Sequence, residues 1–170
     1  MSTQQVFYVV GAVILFGVLL LPAKRASINR DQIMISSEAT MTATAVGQEL
    51  IEEIYDRKFD ENLGPGIKDS SVNQLSTTMG LETAKGDTAG KLNTYDDIDD
   101  FNGYTRTVPT PRLGNFVDSV KVYYVTEDQP DVIAGSKQWL KRIDVKVRNQ
   151  YIISSDSTVT VSKIIAYRYR

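Results

Sequence analysis

The sequence predicts an α+β protein: a long N-terminal helix, apolar in its first half and amphipathic in its second, packed on a small antiparallel β-sheet head domain. Three observations predict it. Val6 to Leu21 is an unbroken apolar run, VFYVVGAVILFGVLLL. From Ala23 to Lys58, apolar or small residues recur at helical spacing with no proline. Beyond Phe116, apolar and polar residues alternate with period two, the pattern of half-buried strands. The chain divides accordingly into an apolar anchor or assembly segment at 1–23, the amphipathic half of the same helix at 24–60, and a β-rich head at 61–170 that starts with a long loop, 61–95.

The apolar run holds no charge, amide or hydroxyl apart from the Tyr8 phenol, and Pro22 and Ala23 close it. At a helical rise of about 1.5 Å per residue it is roughly 25 Å long, the short end of what spans a bilayer. It is too apolar all round to be the one-sided face of a surface helix. A cleaved signal peptide carries basic residues ahead of such a run and a small-x-small site behind it. Here Met1 to Gln5 contain no Lys or Arg, and Pro22, Ala23, Lys24 and Arg25 follow. The competing readings are therefore a plain single-pass anchor and an anchor that is also an assembly element.

In the second half, Ile28, Ile35, Ala39, Ala43, Val46, Leu50 and Ile54 form a stripe. Arg30, Glu38, Gln48, Glu49, Glu52 and Glu53 occupy the other faces. The simplest reading is one helix from about Ser2 to Arg57, roughly 80 Å long and loosened at Pro22. The competing reading breaks the chain at Pro22 into an anchor and a separate helix. Asn62-Leu63-Gly64-Pro65-Gly66 ends the pattern. Residues 67–95 are polar and aperiodic, a loop with a short helical turn near Ser71 to Thr78. Strands follow: a short one near Tyr104 to Val108, one with Phe116, Val120, Val122 and Tyr124 on one face, one with Ile143, Val145 and Val147, and one with Val159, Val161, Ile165, Tyr167 and Tyr169. The apolar face of such a sheet needs a cover, and the helical stripe supplies it.

Composition narrows the chemistry. With 19 basic and 21 acidic residues, no global field recruits nucleic acid. The absence of cysteine removes disulfides, thiolate sites and cysteine nucleophiles. The absence of histidine removes the commonest general base and most zinc and iron sites. Gly64-Pro65-Gly66 is a breaker and not a phosphate loop. No enzymatic activity and no cofactor are expected.

This layout resembles the type IV pilin family, including minor pilins and the pseudopilins of type II secretion. Two patches of sequence add to the layout. Pro22-Ala23 lies at the distance from Met1 at which many mature pilins carry a helix-loosening proline. Tyr95-Asp96-Asp97-Ile98-Asp99-Asp100-Phe101-Asn102-Gly103-Tyr104 is similar to an acidic segment that precedes the first strand of some minor-pilin-like proteins. The chain departs from the family in two ways: no basic leader ending in Gly precedes Met1, and Gln5 stands where the family carries glutamate. Lys24, Arg25 and Arg30 also follow the apolar run, which by the positive-inside rule alone would put the head in the cytoplasm; the proline, the acidic segment and the two-part helix outweigh that conflict.

The resemblance implies a structural subunit of an extracellular pilus-like filament, polymerising through the apolar helix with the β-domain outside. The assembly residues it designates are Gln5, Val6, Phe7, Val10, Val13, Ile14, Phe16, Leu19, Leu20 and Pro22. The implied partners are identical subunits in a helical homo-oligomer, the inner membrane before assembly, and pilus or secretion machinery. The implied location is the membrane first and the cell surface afterwards. The alternative is a single-pass anchored β-domain that acts as a minor pilin, pseudopilin or binding module without a long filament.

Three smaller constellations remain. Asp97, Asp99 and Asp100, with Asp96 and Asn102, are a weak calcium candidate, because hard oxygen ligands suit that ion. The bland reading has these carboxylates capping backbone N–H groups near strand entry. Lys137, Lys141, Arg142, Lys146 and Arg148 read as a solvated strand face. Tyr167 and Tyr169 read as sheet or interface packing.

Overall fold

A computed structural model describes residues 2–63, 71–83 and 86–167; the side chains of 19–23 and 26–28 lie outside the described residues. The protein is α+β. One helix, α1 (Thr3–Tyr55), is followed by short 3-10 turns and four strands: β1 (Thr105–Thr110), β2 (Gly114–Tyr124), β3 (Leu140–Arg148) and β4 (Thr158–Ala166). The chain forms two units, Met1–Glu38 and Ala39–Arg170.

In the first unit, the Gln5 side chain reaches back to accept the Ser2 N–H at 3.1 Å. Backbone N–H groups at a helix start have no partner within the helix, and a Gln three residues in satisfies one of them. Among the described residues no helix is long and apolar enough to cross a membrane; the run Val6–Leu21 continues into side chains outside that set.

In the second unit, Ala39, Ala43, Val46, Leu50 and Ile54 are buried, as is Ile51. The anticipated stripe is therefore the core face of this part of α1. Gly47 is buried too, and a Cβ there would lie 2.9 Å from Val161 Cγ2 and 3.2 Å from Val147 Cγ2. A glycine inside a helix costs about 1 kcal/mol against alanine. Here it lets helix and sheet approach closely.

The strands form an antiparallel meander in the order β1-β2-β3-β4. Val120 pairs with Val145, and Val145 with Val161. Phe116, Val120, Val122 and Tyr124 of β2 and Ile143, Val145 and Val147 of β3 are buried. β1 runs two residues beyond the expected Tyr104–Val108 and takes in Pro109. An edge strand tolerates proline, because one side of it needs no ladder hydrogen bond.

Two charged residues share the inward face of their strands. Asp118 lies between Phe116 and Val120, and its carboxylate receives Arg106 Nε at 2.8 Å. Lys141 has the parity of Ile143 and is buried, which corrects its assignment to the solvated face. At the same end of the sheet, Leu63, Leu75 and Tyr124 make a core cluster with Phe59, Met79, Trp139 and Tyr167 around it. Tyr167 stacks on Trp139 with ring centroids 5.1 Å apart. Tyr169 and the Gly64-Pro65-Gly66 breaker lie outside the described residues.

Candidate functional site

Beyond α1 the chain passes beside the acidic segment. Lys58 and Asp97 form an isolated parallel bridge, and the Ile98 N–H donates to Lys58 O at 3.0 Å. That pairing brings Asp60 to the Asp97–Asp100 stretch. Asp99–Phe101 is a 3-10 turn. The aromatic residues of the segment form its scaffold: Tyr95, Phe101 and Tyr104 meet edge to face, with centroids 5.0–5.9 Å apart. Asn102 ties the turn down by donating to Met79 O at 3.2 Å and accepting the Val122 N–H at 3.0 Å. Gly103 has φ +84°, a left-handed conformation that glycine adopts without strain.

Four buried carboxylates gather at this stretch, Asp60, Asp97, Asp99 and Asp100, and their partners differ. Asp97 Oδ1 accepts the N–H groups of Asp99 and Asp100 at 2.9 and 3.3 Å, and its Oδ2 accepts Glu61 N–H at 2.7 Å. Asp97 therefore holds the loop together. Lys141 Nζ lies 2.6 Å from Asp99 Oδ1 and 3.3 Å from Asp60 Oδ2, and donates to Phe59 O at 2.6 Å. Asp60 in turn accepts Ser76 N–H at 2.7 Å and Asn62 N–H at 3.1 Å. The Tyr124 hydroxyl donates to Ser76 O at 3.0 Å; burial, then the Asp60 and Asp99 charges, hold its pKa well above the ordinary value.

Asp100 faces a third partner set. Its Oδ2 accepts Asp96 N–H at 2.8 Å and Asp97 N–H at 3.2 Å. Its Oδ1 is buried without a hydrogen bond, as is Glu82 Oε2. Glu82, Asp87 and Asp100 each bring one carboxylate oxygen to within 4.8 Å of the others. Asp87 Oδ2 accepts the Glu82 N–H at 3.1 Å, which ties the two acidic residues together. An open cleft lined by Glu61, Gly86, Asp87, Thr94 and Asp96 adjoins Asp87. Burial, followed by the charges of Asp99, Asp100 and Asp87, raises the Glu82 pKa to about 7. Burial likewise raises Asp100 to about 6, and burial with the Asp99 charge raises Asp97 to about 9. Carboxylates that crowd together out of water resist ionising together.

Of the predicted calcium candidates, then, Asp100 alone joins an oxygen cluster among the described residues; Asp97 is occupied by backbone N–H groups and Asp99 faces Lys141. Glu82 and Asp87 escaped the sequence reading because they sit in an aperiodic loop 13 or more positions before Asp100. The residues expected to serve assembly are a separate set, on α1. Val6, Phe7, Val10, Val13, Ile14 and Phe16 are exposed, Phe7 by 75% and Val13 by 67%. Gln5 makes the contact to Ser2, while the side chains of Leu19, Leu20 and Pro22 lie outside the described residues.

Comparison with known proteins gives no match: no family model, no curated protein and no solved structure is similar to this chain.

Proposed function

We propose that the protein is a structural subunit of a pilus-like filament, joined to identical copies through the apolar start of α1, with the β-sheet domain outside. One observation carries this reading: the exposed apolar side chains from Val6 to Val18. Patches much smaller than this mark interaction surfaces on soluble proteins. Before assembly, lipid is the medium that accommodates such a segment, and identical segments replace lipid in the filament. Moving between lipid and a helical bundle gains no hydrophobic free energy, so assembly relies on lateral packing or on a machine. Return to water is costly, because each buried Val, Leu, Ile or Phe is worth about 1.5–3 kcal/mol. The filament is therefore expected to resist dissociation.

Gln5 fits a role at the start of this segment. It carries no charge, and its amide satisfies the Ser2 N–H where water would be excluded. The test is Val13→Asp. Sheared surface material from cells making the wild-type chain is expected to contain filaments by negative-stain microscopy, identified by mass spectrometry as this protein. The variant is expected to leave a folded sheet domain and no filaments. Filaments from Val13→Asp, or native material found only as single molecules in the bilayer, overturn the reading.

A further inference from the structure

We propose that Glu82, Asp87 and Asp100 form a calcium-binding site that ties Glu82 and Asp87 to the acidic turn before β1. The three carboxylate oxygens lie within 4.8 Å of one another. Two oxygens on opposite sides of a calcium ion are about 4.6–5.2 Å apart, from metal–oxygen distances of 2.3–2.6 Å. The donors are all hard oxygens, and the chain has no histidine or cysteine to bring a softer metal.

Asp100 supplies the independent observation. It is 1% exposed, and its Oδ2 is taken by two backbone N–H groups, so its unpartnered Oδ1 is the oxygen left for a ligand. An ionised oxygen buried without a donor is costly, and Glu82 Oε2 repeats the situation on the facing loop. Asp87 has one oxygen fixed by the Glu82 N–H, which leaves its other oxygen for the ion. Lys141 does not relieve this cluster, since its ammonium is spent on Asp99, Asp60 and the Phe59 carbonyl. Calcium takes six to eight oxygens, so water and backbone carbonyls from the adjoining cleft complete the shell. Calcium is favoured over magnesium because three side chains from separate loop positions give an irregular cage, whereas magnesium demands near-ideal octahedral geometry and keeps its water.

The site is independent of the filament reading, and its test uses the full chain in detergent micelles. Thermal unfolding is followed by circular dichroism in EDTA, in calcium chloride and in magnesium chloride. Terbium luminescence, sensitised by the tyrosines, reports occupancy directly. At about 100-fold excess over Kd, calcium is expected to raise the midpoint by roughly 5–10 °C. Asp87→Asn and Glu82→Gln are expected to abolish both the shift and the terbium signal while keeping or raising the midpoint in EDTA, because each removes like-charge repulsion. A wild-type midpoint that moves no further in calcium than in magnesium overturns the assignment, as do variants that keep the calcium shift.

Discussion

The Lys141 ammonium lies 2.6 Å from Asp99 Oδ1, and neither side chain reaches water. The pair joins β3 to the acidic turn before β1, and Asp60, just beyond α1, makes it a triad. Phe59 and Tyr124 add their rings, 4.7 and 5.5 Å from the ammonium. Taking these charges out of water is expensive, so the arrangement holds only while each charge keeps its partners.

Lys141→Met is therefore expected to lower stability by about 3–5 kcal/mol, because it strands two buried carboxylates. Urea unfolding measures the loss. The triple variant Lys141→Met, Asp99→Asn, Asp60→Asn is expected to recover part of it, since no charge of the triad is then left without its counter-charge.

Gly47 sets a steric limit where α1 meets β3 and β4. A valine there places methyl groups into Val161 and Val147, which a Cβ would already approach to 2.9 and 3.2 Å. Overpacking of this kind costs about 1–3 kcal/mol. Gly47→Val is expected to shift the urea midpoint down by that amount. Gly47→Ala is expected to cost less, because the helix-propensity gain of about 1 kcal/mol offsets the contact.

How far the sequence discloses this molecule depends on periodicity. The Ala39–Ile54 stripe and the alternation of β2 and β3 are rhythms repeated over many residues, so the core face of each could be read directly. Lys141 and Asp118 obey the same rhythm, yet their charge argues for the outer face. Only the tertiary partners, Asp99 for one and Arg106 for the other, show why parity wins. The carboxylate cluster of Glu82, Asp87 and Asp100 is harder still. Asp100 stands in a conspicuous acidic run, but Glu82 and Asp87 reach it through loop geometry that carries no period.

The outward face of the sheet predicts the pH response. Tyr123 donates to Asp144 Oδ2 at 2.7 Å, and Arg142 Nε donates to Asp144 Oδ1 at 2.8 Å. Arg142 also pairs with Asp131. Burial opposes ionisation of Asp144, but donation from Arg142, Ser162 and Tyr123 outweighs it and holds the carboxyl below the ordinary carboxylate range. Stability from Asp144 is present above about pH 4 and is lost as pH falls through the lowered value. For Tyr123, burial and the Asp144 acceptor push the phenol up to about 12. Its contribution is full below about pH 10 and is lost between 10 and 12. Urea midpoints across this range are expected to show both limbs. In Tyr123→Phe the alkaline limb between 10 and 12 is expected to flatten; an unchanged alkaline slope counts against the assignment.

Arg106 and Asp118 predict an asymmetry between the two halves of one ion pair. Asp118 is fully buried and receives Arg106 Nε at 2.8 Å, whereas the Arg106 side chain keeps 18% of its surface in water. Arg106 also has Glu53 at 3.6 Å, Glu49 at 4.0 Å and the Val46 carbonyl at 3.3 Å. Removing the arginine leaves a carboxylate buried among Phe116, Val120 and the helix stripe, a loss of about 3–5 kcal/mol. Removing the carboxylate leaves a guanidinium with three other acceptors and contact with solvent, a loss of about 1–2 kcal/mol. Arg106→Ala is therefore expected to be clearly the more damaging single change. A double-mutant cycle with Asp118→Ala, read by urea unfolding, measures the coupling. Equal losses from the two single variants would show that Arg106 depends on Asp118 as much as Asp118 depends on it, against the geometry of its other contacts.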